Sequence, residues 1–427
     1  MKNSRILKEE IREGKYTPLF REIYLDESML EYQKNRYAEA VEKFEELFGE
    51  KDIEIYSAPG RSEVGGNHTD HQQGKVLATS INLDAIGVVS RIQEPVIRVI
   101  SEGYDDRIEI DIQDLEEKYE EEGTTAALIR GVAAAFQEKG YKLGGFEAYV
   151  SSDVLIGAGL SSSASFEVII GTIISGLFNH MEISPVEIAM AGQFAENVYF
   201  GKPSGLMDQM ACSVGGLIHI DFETPGEPVV EKVPADFEAW KYSLCIVDTK
   251  ASHANLTDDY AKIPQEMKKV AQFFKKKVLR EVDEDEFYRE IPGLRSIFGD
   301  RPVLRAIHFF QEEKRVDAQV KALKDGDFKE FLRLVRESGN SSFKYLQNIY
   351  VNRDEQSQAM SIALAASETK LKDHGVCRVH GGGFAGTIQV FVENEYVEEY
   401  RAFIEKIFGR DSCHVLKVRS KGGIQVL

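Results

Sequence analysis

The stretch Ser151–Ser165, SSDVLIGAGLSSSAS, follows an alternating segment, Phe146, Ala148 and Val150, and feeds an apolar run from Phe166 onward. That pattern reads as a strand, a loop and a helix. Small residues (Gly157, Ala158, Gly159, Ser161, Ser162, Ser163 and Ala164) crowd the point where the helix starts, so backbone there can approach a ligand closely. Free N–H groups at a helix N-terminus, the positive end of its dipole and neighbouring hydroxyls make a cradle for phosphate, and a serine oxygen can reach Mg2+. From composition alone, a flexible linker or an ordinary helix cap fits equally well. The stretch is not a Walker A loop, because no GK[ST] follows. Nor is it a dinucleotide fingerprint, because Ser162 stands where the third glycine belongs.

Upstream, Tyr37, Val41, Phe44, Leu47 and Phe48 recur at helical spacing, and Asp52–Ser57, 96–100 and 108–112 alternate like strands. Ala126–Glu138 returns to helix. Downstream, the turn-rich stretch 223–236, with Pro225, Gly226, Pro228 and Pro234, reads as a boundary. Beyond it come a strand at 243–247, helical patterns at 265–280, 302–324 and 356–371, and strands at 386–392 and 415–418. The chain of 427 residues has no internal repeat, and its mixed order of elements fits two α+β domains, 36–230 and 231–427, after a helical extension at 1–35. Lys and Arg number 52 and Asp and Glu 71, a formal charge of −19, which argues against nucleic-acid and anionic-membrane partners. Four cysteines without a CxxC pair suggest neither a zinc site nor a disulfide framework. With no signal-peptide core and no spanning segment, a cytoplasmic protein is expected.

Three further segments carry chemistry-bearing residues. Residues 58–71, APGRSEVGGNHTDH, gather Arg61, Glu63, Asn67, His68, Asp70 and His71 in a glycine-punctuated loop after a strand. Its last residues resemble the end of an HxHxDH zinc motif, but Gly66 stands where the first histidine belongs and cannot ligate. In 194–216, FAENVYFGKPSGLMDQMACSVGG, Glu196 and Asp208 flank a Pro203, Ser204, Gly205 turn. Two such carboxylates can divide labour, one binding a hard cation and the other meeting a hydroxyl. Separately, each also fits a helix face or a cap. Finally, 378–386, RVHGGGFAG, sets three glycines beside a strand, permitting close backbone contact or a tight bend.

Taken in order, GRSEVGGNHTDH, GAGLSSSAS, GLMDQMA and RVHGGGFAG closely resemble the galactokinase branch of the GHMP kinase superfamily, from about Tyr37 to the C-terminus. The resemblance implies a two-domain fold with the active site in the interdomain cleft, and phosphorylation by ATP of the anomeric hydroxyl of a galactose-configured sugar. It places nucleotide phosphates on Gly157, Ala158, Gly159, Leu160, Ser161, Ser162 and Ser163, with Ser101 as a further nucleotide contact. It makes Ser163 and Glu196 the Mg2+ ligands, Asp208 the group beside the anomeric hydroxyl, and Arg61 the cation on the developing charge. The sugar contacts it implies fall on Asn67, His68, Asp70, Gly205 and Tyr260.

Departures from the branch pattern matter. The branch pattern GRxNxxGEHTDY has Asn at Glu63 and Glu at Asn67, and His71 replaces its Tyr. A neutral amide at 67 can donate to a sugar carboxylate, and the Asp70–Gln72 run also looks like that of galacturonate kinases. Galacturonate or L-arabinose are therefore alternatives to galactose, unless Glu63 swings in and restores the carboxylate. A catalytically inactive sugar and nucleotide sensor is a third reading, disfavoured by the retained Arg61, Ser163, Glu196 and Asp208. Leu155 and Ala385 also depart from the branch's Pro and Gly.

Overall fold

The computed structural model describes residues 1–427 except 105, 156, 158, 252–255, 353 and 385. Two β-sheets organise it. The larger runs Lys2–Asn3, Asp52–Gly65, Lys75–Ile92, Gly145–Ser152, Val96–Ser101 and Ile108–Asp111. Leu217–Asp221 and Val229–Lys232 extend it beside Lys75–Ile92, and Ile424–Gln425 pairs with Asp52–Gly65. The smaller sheet is antiparallel, in the order Gly375–Val379, Thr387–Glu393, Tyr242–Asp248, Cys413–Leu416.

The Lys75–Ile92 strand shows why the larger sheet has helices on both faces. Ala85 and Val89 join the core formed with helices Thr125–Glu138 and Ser162–Asn179, which includes Phe136, Ile169 and Ile173. Ile86 and Val88, pointing the other way, join Ile53 and Ile55 beneath helices Ser4–Arg12, Thr17–Tyr24 and Leu30–Phe48. A strand buried on both faces loses the polar alternation of a half-exposed one. Residues 1–35, read as an extension, are thus a layer of the fold. Each of these four branched side chains would lose roughly 1.5–3 kcal/mol of burial without it.

Chain ends and sheet meet at one buried carboxylate. Asp84 receives Arg36 Nη1 at 2.7 Å, Arg419 Nη1 at 3.0 Å and the Tyr24 hydroxyl at 2.9 Å. Surrounded by two guanidinium groups, it is held below the usual carboxylate range despite its burial. The last residues accordingly leave the smaller sheet and return to the larger one.

Elsewhere the sequence patterns need adjustment. The helix expected at 265–280 spans Thr257–Phe273 and gives way to a turn, while Asp300–Lys324 and Ala359–Leu371 lie close to their expected bounds. Helices Glu284–Phe298 and Phe328–Ser341 add to the second half. The Asp52–Gly65 strand has two register shifts, between Pro59 and Arg61 and between Glu63 and Gly65. Bulges re-aim side chains and increase local twist. Here they bracket Arg61–Glu63, where the strand meets the smaller sheet through Gln389 Nε2 and the Ser62 hydroxyl, 2.7 Å apart.

Candidate active site

At the end of Gly145–Ser152 the chain turns through two left-handed glycines, Gly157 (φ +79°) and Gly159 (φ +67°). Gly159 is required twice over: a side chain there would also press against Thr387 Oγ1 at 3.0 Å and His380 Nδ1 at 3.2 Å. Buried Leu160 ties the loop to the Arg61 strand, its carbonyl accepting from the Arg61 N–H at 3.1 Å. Ser161 takes a left-handed φ of 58° and turns its hydroxyl to Asp208, so it does not cap the Ser162–Asn179 helix. Among the described residues no side chain caps that helix, which leaves its first-turn N–H groups as anion donors.

Arg61 and Asp208 form a two-pronged pair. Nε and Nη2 reach the two carboxylate oxygens at 2.7 Å each, and Nη1 donates to the Gly159 carbonyl. Asp208 sits in the first turn of helix Met207–Val214, and its side chain retains 33% exposure whereas that of Arg61 has 7%. Burial pushes the Asp208 pKa up, but Arg61 and the Ser161 hydroxyl outweigh it and hold the carboxyl below its ordinary range. This acid stays ionised.

Glu196 occupies one turn of π-helix, Ala195–Tyr199, a distortion that favours functional positions. Its Oε1 lies 3.4 Å from the Ser163 hydroxyl and 2.6 Å from Lys202 Nζ. Its Oε2 accepts from the Ser204 hydroxyl at 2.6 Å and Gln209 Nε2 at 3.0 Å. Gln209 also donates to Glu167 at 2.9 Å. Burial, reinforced by the Glu196 charge, raises the Glu167 pKa well above the carboxylate range. Ser163 and Glu196 together offer a hydroxyl and a carboxylate oxygen. That hard-oxygen pair fits Mg2+, which keeps few protein ligands and takes the rest from phosphates and water. Among the described residues no group of three or more His, Cys, Asp or Glu side chains could hold a metal by itself.

The sugar-side candidates converge on the glycine run 381–383. The Asn67 amide donates to both Glu63 oxygens (3.1 and 3.2 Å) and to the Gly381 carbonyl (2.7 Å). Its Oδ1 accepts from Ser342 Oγ (3.1 Å) and Asn348 Nδ2 (2.9 Å). His68 Nε2 meets the Gly382 carbonyl at 2.9 Å, and the Tyr260 hydroxyl donates to the Gly383 carbonyl at 2.7 Å. Helix Asp300–Lys324 grips the backbone at 66–67: Glu312 accepts from the Gly66 N–H at 3.1 Å, and His308 pairs with the Asn67 carbonyl at 2.9 Å. Gly205 packs so tightly on Asp70 that a Cβ would lie 2.0 Å from its Oδ2.

Two expectations change. Asn67 is fully buried, and its amide is committed on every side, so it has no free group for a ligand. Glu63 does not swing outward: Arg378 Nη2 holds it at 2.6 Å, with the pair almost completely buried. Burial raises the Glu63 pKa against the pull of Arg378. Positions 63 and 67, both departures from the branch pattern, are therefore in direct contact. Ser101 ends its strand opposite Val150, and no contact ties its side chain to the phosphate loop among the described residues. Ala158 lies outside the described residues. The sequence reading missed Lys202, Gln209, Arg378, Asn348 and Glu312. Lys202, Gln209 and Arg378 stand inside quoted motifs, whereas nothing local marks Asn348 or Glu312.

Comparison with known proteins bears on the family. The galactokinase galactose-binding signature matches residues 42–91, and the GHMP kinases N terminal domain matches 127–216. A galactokinase of Streptomyces coelicolor is 30% identical over 86% of this chain and 92% of its own. One from Thermotoga maritima is 30% identical over 86% of this chain and 98% of its own. The crystal structure of Lactococcus lactis galactokinase complexed with galactose superposes with a TM-score of 0.78 at 24% identity, covering 91% of this chain and 99% of that one. By fold, motif order and overall similarity, the chain belongs to the galactokinase family of GHMP kinases.

Proposed function

We propose that the protein transfers the terminal phosphoryl group of ATP to the anomeric hydroxyl of galactose, giving galactose 1-phosphate. The observation that carries this reading is the two-pronged Arg61–Asp208 pair, tied through Ser161 and Gly159 to the loop before an uncapped helix N-terminus. The nucleotide phosphates rest on the loop 157–163 and on the first-turn N–H groups. Asp208 accepts the hydrogen bond of the attacking hydroxyl. Because Arg61 holds its pKa low, it is a weak base that orients the nucleophile and takes the proton late. Arg61, permanently charged, stabilises the negative charge developing between the hydroxyl and the phosphoryl group. Ser163 and Glu196 would hold Mg2+, which when bound neutralises phosphate charge. Asp70 and the backbone at Gly205 are the sugar-side groups, with His68 and Tyr260 holding the 381–383 backbone behind them.

One observation favours a second acceptor. At the corner where the branch pattern has glutamate, the nearest carboxylate, Glu63, is already bound by Arg378 and Asn67. Among the described residues no unpaired like charge stands at that corner to repel a uronate, so galacturonate is the alternative acceptor. ATP consumption with galactose, galacturonate, L-arabinose and N-acetylgalactosamine tests both readings. Galactose should give the highest kcat/KM. A galacturonate preference moves the assignment to the uronate, and no turnover with any sugar overturns the kinase reading in favour of a sensor.

A further inference from the structure

We propose that Lys202 is a phosphate-binding cation, stored on Glu196 while the site is empty and released to the nucleotide when Mg2+ takes that carboxylate. The inference deepens the kinase reading and rests on it. Both oxygens of Glu196 are engaged, but by unlike partners. Oε2 is held by Gln209, which is fully buried, and by Ser204, itself pinned through its N–H to Asn197 Oδ1 at 2.7 Å. Oε1 is held by Lys202 Nζ at 2.6 Å, on a side chain that is 57% exposed. Among these partners Lys202 has the most exposed side chain, so its contact is the one most readily exchanged.

Oε1 is also the oxygen that faces Ser163 at 3.4 Å, so a divalent cation shared by those two residues must use it. An ammonium hydrogen-bonded to the same oxygen carries like charge and has to leave. Glu196 is only 4% exposed, so the ammonium can leave cheaply only as the divalent cation takes over its charge compensation. The displaced ammonium keeps its flexible four-carbon stem, and it stands beside the helix N-terminus where phosphates gather. Lysine is well suited to that role, as a compact point charge on a phosphate oxygen. Of its other acidic neighbours, Asp208 is committed to Arg61, and Glu167, whose Oε2 accepts from Gln209, has its pKa raised by burial and so offers little charge. The backbone N–H of Lys202 stays bonded to the Glu196 carbonyl at 3.0 Å, which keeps the stem rooted at the site during the exchange.

The proposal makes removal of Lys202 act in opposite directions on two ligands. Wild type, Lys202→Met and Lys202→Arg are compared by electron paramagnetic resonance for free Mn2+ without nucleotide, and by calorimetry for MgATP. Melting temperatures check that all three fold. Lys202→Met should bind free Mn2+ roughly tenfold more tightly, because Glu196 is unmasked, and MgATP roughly tenfold more weakly. Lys202→Arg should bring both affinities back toward wild type. If either affinity stays within twofold of wild type in Lys202→Met, or both move the same way, Lys202 is a surface ion pair and the proposal fails. Wild-type protein that binds no MgATP overturns the kinase reading itself, whatever the variants do.

Discussion

The two ends of the site are built on opposite electrostatic plans. At the phosphate end each ion pair keeps one reachable member: Asp208 stays ionised against buried Arg61 with a third of its side chain exposed, and Lys202 reaches buried Glu196 from solvent. At the sugar end the polar groups are sealed: Glu63, Asn67 and Arg378 are nearly or wholly inaccessible and bond to one another and to backbone. The first arrangement suits ligands that bring charge and exchange partners during turnover. The second fixes the shape of a pocket, since a buried, fully paired network tolerates little rearrangement.

Breaking the open end should produce the largest effect. Asp208→Asn keeps the shape but removes both the acceptor charge and the proper partner of Arg61. Turnover should fall about 10⁴-fold, or roughly 5.5 kcal/mol of barrier, in an ATP-consumption assay. Turnover within tenfold of wild type would show that the Arg61–Asp208 pair is structural. At the sealed end, Arg378→Met should act on stability first. It leaves Glu63 buried without its cation, at a cost of about 3–5 kcal/mol in urea denaturation. Adding Glu63→Gln removes the stranded charge and should recover at least half of that loss. A single variant within 1 kcal/mol of wild type would mean that the corner is not sealed as described.

The same contrast explains what could be read from the sequence. The phosphate loop was legible because its requirement is local: glycines with positive φ and serines at a helix start occupy consecutive positions. Arg61, Glu196 and Asp208 could be grouped as a set only through motif order, since Arg61 and Asp208 meet across 147 positions. The sealed end was not legible. Glu63 and Arg378 are 315 positions apart, and Asn348 and Ser342 carry no local mark of their bonds to Asn67. The substitution at 67 therefore read as a change facing the ligand, when it is half of a buried exchange with position 63. The N-terminal helices were visible as helices, but nothing in 1–35 says which face of which sheet they cover. That depends on Ile53, Ile55, Ile86 and Val88, on two strands they do not belong to.

His68 offers the smallest and sharpest test of the comparison, because the sealed end should suppress charge where the open end preserves it. Burial lowers its pKa to about 4 from the ordinary 6.5, with its imidazole donating Nε2–H to the Gly382 carbonyl. A base whose folded pKa is depressed stabilises the fold only while neutral. As pH falls through 6.5 the unfolded chain takes the proton first, and stability is lost between 6.5 and about 4. Buried His308 and His380, also lowered by burial, contribute to the same decline, so the wild-type slope exceeds one proton. His68→Asn, a residue that tolerates the left-handed φ of 60°, should remove one proton's share of that slope and leave the others. The expected saving at pH 5 is about 1–2 kcal/mol relative to the variant's own value at pH 7.5. Equal slopes in the two proteins would mean that His68 takes up its proton while folded, and that the corner behind the sugar is open to water after all.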